Sequence, residues 1–452
     1  PPHTPGRPHT AWRGARPRPR HGAPLVRALL ARGDTAPDQR TQARVYLLAA
    51  ACLEHATSLA PAVREAVEQR TATLIPPQNP EEARALAEVG PLILGLLPGP
   101  EKLNDTEAYH VVVAASHVNS DAALPFLARF TGHPDQAVRA QLMWAWSRFD
   151  CTQYADEIIA RLDPADLDYT IQSDGQMHEL DRLGLRPDRL DVRTGVSLKA
   201  LAGYTSRTEV TQLTLANASA RDLGFLSGQT RLKALVVDDC PALEDVSALA
   251  GLPLETLVLT CSGPEADLRP LSRLPHLGAL TLRSRTGGVW SPGDLPTGSL
   301  YGLRLQGEMR PAHGLRGLAG MRVLRLLQLN SASSPASGED WEELSRISTL
   351  GDVTLHAASL ETLPTSVALA DVKSLTLVGG GGERTLQAAV HRLPRAFPAL
   401  TECSLTGDMS AEGDIDIAPL ADLPGLRFVY VVAGLDRVRG AAKLSPSVVH
   451  LL

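Results

Sequence analysis

The pattern LxxLxL recurs ten times, with first positions at residues 210, 232, 254, 277, 300, 324, 350, 372, 400 and 426. Successive first positions lie roughly 24 residues apart and never stray far from that mean. A phase kept for that long demands an array of stacked units, because one unit is too short to bury its own apolar side chains. The clearest unit is Leu232-Lys-Ala-Leu235-Val-Val237-Asp-Asp-Cys240. From residue 201 onward close to one position in five is leucine, while aromatics make up 4% of the chain, so the core is filled by aliphatic chains and not by rings.

This period and the LxxLxLxxC form are those of leucine-rich repeats. In each unit LxL reads as a short strand with period two, so Leu235 and Val237, or Leu257 and Leu259, point inward while the residues between them face out. Stacked strands give a parallel sheet on the concave side of a horseshoe. The return segments at 222–230, 245–253, 267–275 and 417–424 share a D-[LV]-x-x-L-x-x-L-P cadence. They are too short for a long helix, and a 3₁₀ turn is expected on the convex face. Pro187-x-x-Leu190-x-Val192 keeps the register one interval before the first repeat, as a degenerate strand. Val448-x-x-Leu451 falls one interval after Leu426, as the first half of an eleventh strand.

Upstream the period is helical. Helices are expected at 24–32, 39–58, 61–74, 80–97, 105–117, 121–130, 136–149 and 154–162, separated by Pro, Asp and Gly. Asn79-Pro80-Glu81-Glu82 supplies an N-cap, a first-turn proline and two acids at the positive end of the helix dipole. Residues 121–149 have the cadence of a HEAT-type pair, with Asp135 capping a helix that presents Val138, Leu142 and Met143 or Trp146 to its neighbour. The expected division is a disordered Pro/Arg-rich tail at 1–22, an all-helical HEAT-like domain at 23–165, a connector and degenerate cap at 166–209, and leucine-rich repeats at 210–452. The fold class is therefore an α-helical domain followed by an α/β solenoid.

Composition excludes several classes. No apolar run approaches the roughly 18 residues that a bilayer-spanning helix requires. Neither an apolar signal core nor an initiator Met opens the chain, and cytoplasmic residence is the default expectation. The formal net charge of −6 includes five Arg and no acid within residues 1–20, leaving −11 on the remainder, which argues against nucleic acid as a partner. Cys52, Cys151, Cys240, Cys261 and Cys403 form no CxxC and no Cys/His cluster, so reduced structural thiols are expected.

The chemistry-bearing motifs are missing. There is no GxxxxGK[ST], and Gly379–Gly382 lacks the lysine of a phosphate-binding loop; it reads as a loop between repeats. GxSxG, HExxH and HRD do not occur. His110 and His117 lie seven apart on one expected helix without a third ligand in phase. Glu339, Asp340, Glu342 and Glu343 sit where a short convex helix should start, which suits dipole complementation. The chain is expected to be no enzyme, with no catalytic, cofactor or metal site. What remains is the concave sheet. There the central repeats gather Arg283, Arg304, Gln306, Gln328, Asn330 and His356, long donors on adjacent strands suited to an acidic or polar patch of a protein ligand. Phe428 and Tyr430 on the last full repeat are either a second anchor or packing under a cap.

Residues 24–165, through LVRALLARGDT, RVYLLAAACLEHAT, PAVREAVEQRTATLIPP, VVVAASHV, FLARF and VRAQLMWAWSRFD, resemble the helical region that follows the nucleoside-triphosphatase module of bacterial NACHT proteins of the STAND class. The downstream repeats are similar to the C-terminal sensor of the same NLR-like architecture, and together the resemblance covers nearly all of the chain beyond the Pro/Arg-rich tail. In that family the module binds ATP and stays closed until a ligand reaches the repeats; several members are associated with defence against phage. This sequence departs from the pattern in having no P-loop, no Walker B run and no effector, so ATP binding does not carry over. The resemblance implies a sensing and autoinhibitory part, with a NACHT module in cis or in trans, or else a stand-alone repeat scaffold. The low-complexity start and missing Met suggest a fragment, a truncated gene or a frame-shifted start.

Overall fold

The computed structural model describes residues 22–451 except 56–59, 73, 165, 218–219, 241, 262–266, 381–384, 408–413, 432–436 and 446–447. The chain forms two compact units that divide between residues 165 and 166.

The first unit is helical: α1 (Gly22–Asp34), α2 (Gln39–His55), α3 (Pro61–Thr71), α4 (Pro80–Ala87), α5 (Asp105–His117), α6 (Ala123–Leu127), α7 (Gln136–Ala145) and α8 (Cys151–Glu157). The capping residues do what their chemistry allows. Asn79 accepts the Glu82 amide at 2.9 Å, Asp135 accepts that of Val138 at 3.0 Å, and Asn104 with Glu107 closes a capping box. On α7 Val138, Leu142 and Met143 are all buried, as is Trp146 in the 3₁₀ turn that follows.

The expected helix 80–97 is broken. Gly90 takes φ +88°, Pro91 brings no N–H, and Pro91–Gly95 forms a separate 3₁₀ turn. The last helix starts earlier than expected, at Cys151, because Asp150 caps it by accepting from Gln153 at 2.9 Å. Val26, Leu30, Tyr46, Ala49, Ala50, Val63 and Val67 pack α1, α2 and α3 together. Asp34 joins their polar ends, accepting from the Tyr46 hydroxyl at 2.7 Å and from two Arg70 nitrogens at 2.9 Å. No helix among the described residues is long and apolar enough to cross a membrane.

The second unit is a leucine-rich-repeat solenoid. Its strands are β1 (Tyr169–Ile171), β2 (Arg189–Val192), β3 (Gln212–Ala216), β4 (Ala234–Asp238), β5 (Thr256–Cys261), β6 (Ala279–Trp290), β7 (Gly302–Pro311), β8 (Leu326–Gln328), β9 (Asp352–His356), β10 (Ser374–Gly379), β11 (Glu402–Gly407), β12 (Ile415–Asp416), β13 (Phe428–Val431), β14 (Val438–Arg439) and β15 (Val449–Leu451). Thirteen of them form one parallel sheet in chain order, with β12 and β14 paired apart.

The register follows the LxL phase from β2 to β13: Leu213, Leu235, Leu257, Leu280 and Leu303 are successive partners, all at most 1% exposed. Each such side chain removed from water contributes about 1.5–3 kcal/mol, and only the neighbouring repeat supplies the covering surface.

The return segments are 3₁₀ turns, and the Asp of their cadence is the cap. Asp222, Asp245 and Asp267 accept the amides of Gly224, Ser247 and Arg269 at 2.8, 2.7 and 3.1 Å. Between the first positions 324 and 350, and again between 372 and 400, the interval lengthens and α-helices replace the turn: α11 (Gly338–Ser345), then α12 (Thr385–Val390) and α13 (Leu393–Ala396). The acidic run at 339–343 does more than complement the α11 dipole. Asp340 closes a capping box with Ser337 and accepts the Leu315 amide at 2.7 Å, and Glu343 accepts those of Gly317 and Ala319. These carboxylates fasten one repeat to the previous one.

Both ends of the sheet depart from expectation. Strand β1 lies in the stretch read as a connector, and β1–α9–β2–α10–β3 supplies two further units through α9 (Asp174–Arg182) and α10 (Leu198–Thr205). At the other end Val449 pairs with Val429, whereas the expected phase set Leu451 opposite it. The slip is even, so the same faces stay in and out.

Candidate functional site

On the outward side of the sheet, one position of every repeat stays half-buried from β3 to β13: Thr214, Val236, Val258, Thr281, Arg304, Gln328, Thr354, Thr376, Ser404 and Tyr430. Consecutive members are cross-strand partners about 4.8 Å apart, which makes a continuous row. Residues 277–330 carry seven Arg against Asp294 and Glu308, so positive charge concentrates on the central repeats.

The expected residues separate into distinct settings. Arg283 donates to Gln306 Oε1 through Nε (3.0 Å) and Nη2 (2.9 Å) and reaches Asp238 through Nη1 at 3.5 Å. Thr260 also donates to Asp238, at 2.9 Å, so one hydrogen-bonded ribbon crosses β4 to β7. Arg283 is thus a braced residue whose charge is already matched. Arg304 and Gln328 are direct partners on β7 and β8. Asp352 lies on the next strand, where burial raises its carboxyl pKa and Arg304 opposes the shift. His356 ends β9, its amide donating to the Ser334 hydroxyl at 3.0 Å.

Asn330 has a setting of its own. Strand β8 stops at Gln328, and the Asn330 amide turns back to donate to the carbonyls of Gly307 (2.6 Å) and Met309 (3.0 Å), while its oxygen accepts from Ser333 at 2.7 Å. An amide so committed shapes the scaffold, with both of its donor hydrogens held by the chain.

The reason for that turn is visible in β6 and β7. Both strands run on past the sheet, through an irregularity at Ser284–Gly288, to pair Gly288 with Met309 and Trp290 with Pro311. Trp290 is buried and donates to Ser333 at 3.2 Å; Ser333 in turn donates to Met309 O at 2.7 Å. Gly307 makes the crossing possible: its φ is +66°, and a Cβ there would overlap the Ser284 carbonyl oxygen. Val289 is left 42% exposed on this extension.

Tyr430 belongs to a second focus, at the far end of the same row from Thr214. Its ring stacks on Phe428 (centroids 6.3 Å, planes 15° apart) and on His450 of β15 (5.4 Å, 25°). Phe428 is 42% exposed. Sequence reasoning missed His450, because the expected register of the last strand placed it elsewhere along β13. It also passed over Glu402, the direct partner of Phe428.

Among the described residues no group of three or more His, Cys, Asp or Glu converges as a metal site. His117 is taken up by the Val113 carbonyl at 2.8 Å and by stacking on Trp144, and burial holds its imidazole below the ordinary pKa. The Cys403 thiol, fully buried, is pushed up to about 12. Residues 381–384 of the glycine-rich stretch lie outside the described residues.

No protein-family model and no curated protein matches the chain. Among solved structures, an internalin from Listeria monocytogenes is similar over 68% of this chain and 92% of its own, at 14% identity and a TM-score of 0.40. The leucine-rich-repeat assignment stands on the strand register of the chain itself.

Proposed function

We propose that the chain is a non-enzymatic protein-binding module whose solenoid takes a protein ligand on the outward face of the sheet. The carrying observation is the half-buried row that runs from β3 to β13 and carries Arg304 and Gln328 in the central repeats, with Arg283 on the adjacent strand. Arg304, Gln328 and His356 supply donors to an acidic or polar patch, and Arg283, braced by Gln306 and Asp238, sets the shape beside them. The resemblance of residues 24–165 to NACHT-associated helices supports a finer reading, in which the module senses a ligand and restrains a NACHT-type NTPase supplied in cis or in trans. Such a role belongs in the cytoplasm, and the thiols of Cys52 and Cys403 are free, in keeping with a reducing compartment.

The test is partner capture by the full chain against its Arg283→Ala/Arg304→Ala/His356→Ala variant. Affinity for the captured partner should fall by about tenfold or more, the cost of losing one or two charge-assisted contacts. Unchanged affinity removes the central repeats from the site. Co-purification with an ATPase whose turnover the chain alters would support the finer reading, and a partner without NTPase activity would reject it.

A further inference from the structure

The Phe428, Tyr430 and His450 rings are exposed or half-buried, have planes 15–34° apart, and are gathered within 6.3 Å centroid to centroid at one corner of the outward face. Three flat rings so placed form a stacking platform. An apolar partner would suit them, but Glu402 stands against that occupant. It is the cross-strand partner of Phe428, it is half-buried, and it makes no ion pair with any described residue. Covering the platform with an apolar side chain would strip water from that carboxylate and leave it uncompensated. A phosphate-bearing ligand would meet Glu402 and, two strands on in the same row, Asp352 as like charges.

A guanidinium satisfies both halves. Its plane lies on an aromatic face, and its fork gives a carboxylate two parallel hydrogen bonds; an ammonium does neither as well. We propose that this corner seats an arginine side chain of a protein partner, stacked on the Phe428, Tyr430 and His450 rings with its charge met by Glu402. The proposal rests on the reading of the sheet face as the binding surface. It adds a second anchor of opposite charge preference to the arginine-rich central repeats, so that a bound segment has its direction fixed.

The experiment titrates the full chain with a capped Gly-Ser-Arg-Ser-Gly peptide and with its lysine and citrulline counterparts, following saturation transfer to the peptide by NMR. Citrulline keeps the shape and loses the charge. The arginine peptide should bind in the millimolar range, the lysine peptide several-fold more weakly, and the citrulline peptide at least about tenfold more weakly. Glu402→Gln, which preserves shape, should weaken the arginine peptide by about fivefold or more, as should Phe428→Ala with Tyr430→Ala. Equal affinity for citrulline, an unaffected Glu402→Gln variant, or no transfer at millimolar peptide would each overturn the proposal. So would a fivefold rise in peptide affinity when Arg7, Arg13, Arg16, Arg18 and Arg20 are all replaced by glutamine, since the occupant would then be the chain's own arginines. The Arg283, Arg304 and His356 variant should leave peptide binding intact. Peptide failure alongside partner capture that still depends on Arg304 rejects this anchor alone, leaving the sheet-face reading in place.

Discussion

The repeats on β3 to β5 and those on β6 to β9 share the same inward leucines and differ in almost everything else. In the first group the outward row is Thr214, Val236 and Val258, the strands stop at the sheet edge, and an aspartate caps each 3₁₀ turn. In the second the row carries Arg304 and Gln328, β6 and β7 run past the edge around Gly307, and α11 replaces a turn. Burial fixes the inward positions because every unit must be covered by its neighbour, whereas nothing in the stacking dictates the outward row or the rims. Polar character and irregular backbone therefore accumulate in the same repeats, and the departures from the period mark where the solenoid differs from a bare scaffold.

The largest difference should lie in the caps. Asp340 is 7% exposed and accepts from Leu315, Ala336 and Ser337, so Asp340→Ala leaves several buried donors unpaired and should cost about 3 kcal/mol in denaturant unfolding. The exposed cap of a regular repeat, Asp222, should cost a fraction of that on the same substitution. Equal losses would erase the distinction between the two groups.

Backbone geometry gives the next effect. Gly307→Ala must leave a left-handed conformation and clear the Ser284 carbonyl, for about 2 kcal/mol or more, while Gly228→Ala enters open space and should stay within about 0.5 kcal/mol. A tolerated Gly307→Ala would mean that the β6–β7 crossing is loose.

The smallest effects are in pH dependence and have opposite signs. Arg269 holds the Asp267 carboxyl down at about 2, so its contribution is complete above the ordinary carboxylate pKa and lost as pH falls toward 2. Asp267→Asn should flatten that acid limb. Burial raises Asp352, so the fold prefers its protonated form and loses stability as pH rises through its folded pKa. Asp352→Asn should be neutral near pH 3 and mildly stabilising at pH 7. Unfolding midpoints from pH 2 to 7 separate the two, and a parallel response would contradict the assignment of causes.

The regular part of the molecule was legible because its cause is periodic: LxL sets the strands, and D-[LV]-x-x-L sets the capped turns. Where one local interaction overrides the period, reading from sequence fails. Gly90-Pro91 ends a helix whose apolar pattern continues, and Asp150 starts one early. Asn330 fits the outward row by count, yet the extension of β7 places two carbonyls within its reach. Strand β1 carries Tyr169 and Ile171 at inward positions that the other repeats fill mostly with leucine or valine, so its phase did not stand out. His450 was hidden by the two-residue slip of β15, and Glu402, although the phase already sets it beside Phe428, gains its significance only from the rings around it.

The most direct test of the sheet face as the binding surface places a photo-crosslinking residue in the full chain at position 304, on the outward row, or at position 269, in a convex 3₁₀ turn. Crosslinks to the captured partner from position 304, with position 269 silent, are the predicted result. Crosslinks from position 269, with position 304 silent and both variants folded, would contradict it and move the binding surface to the other side of the solenoid.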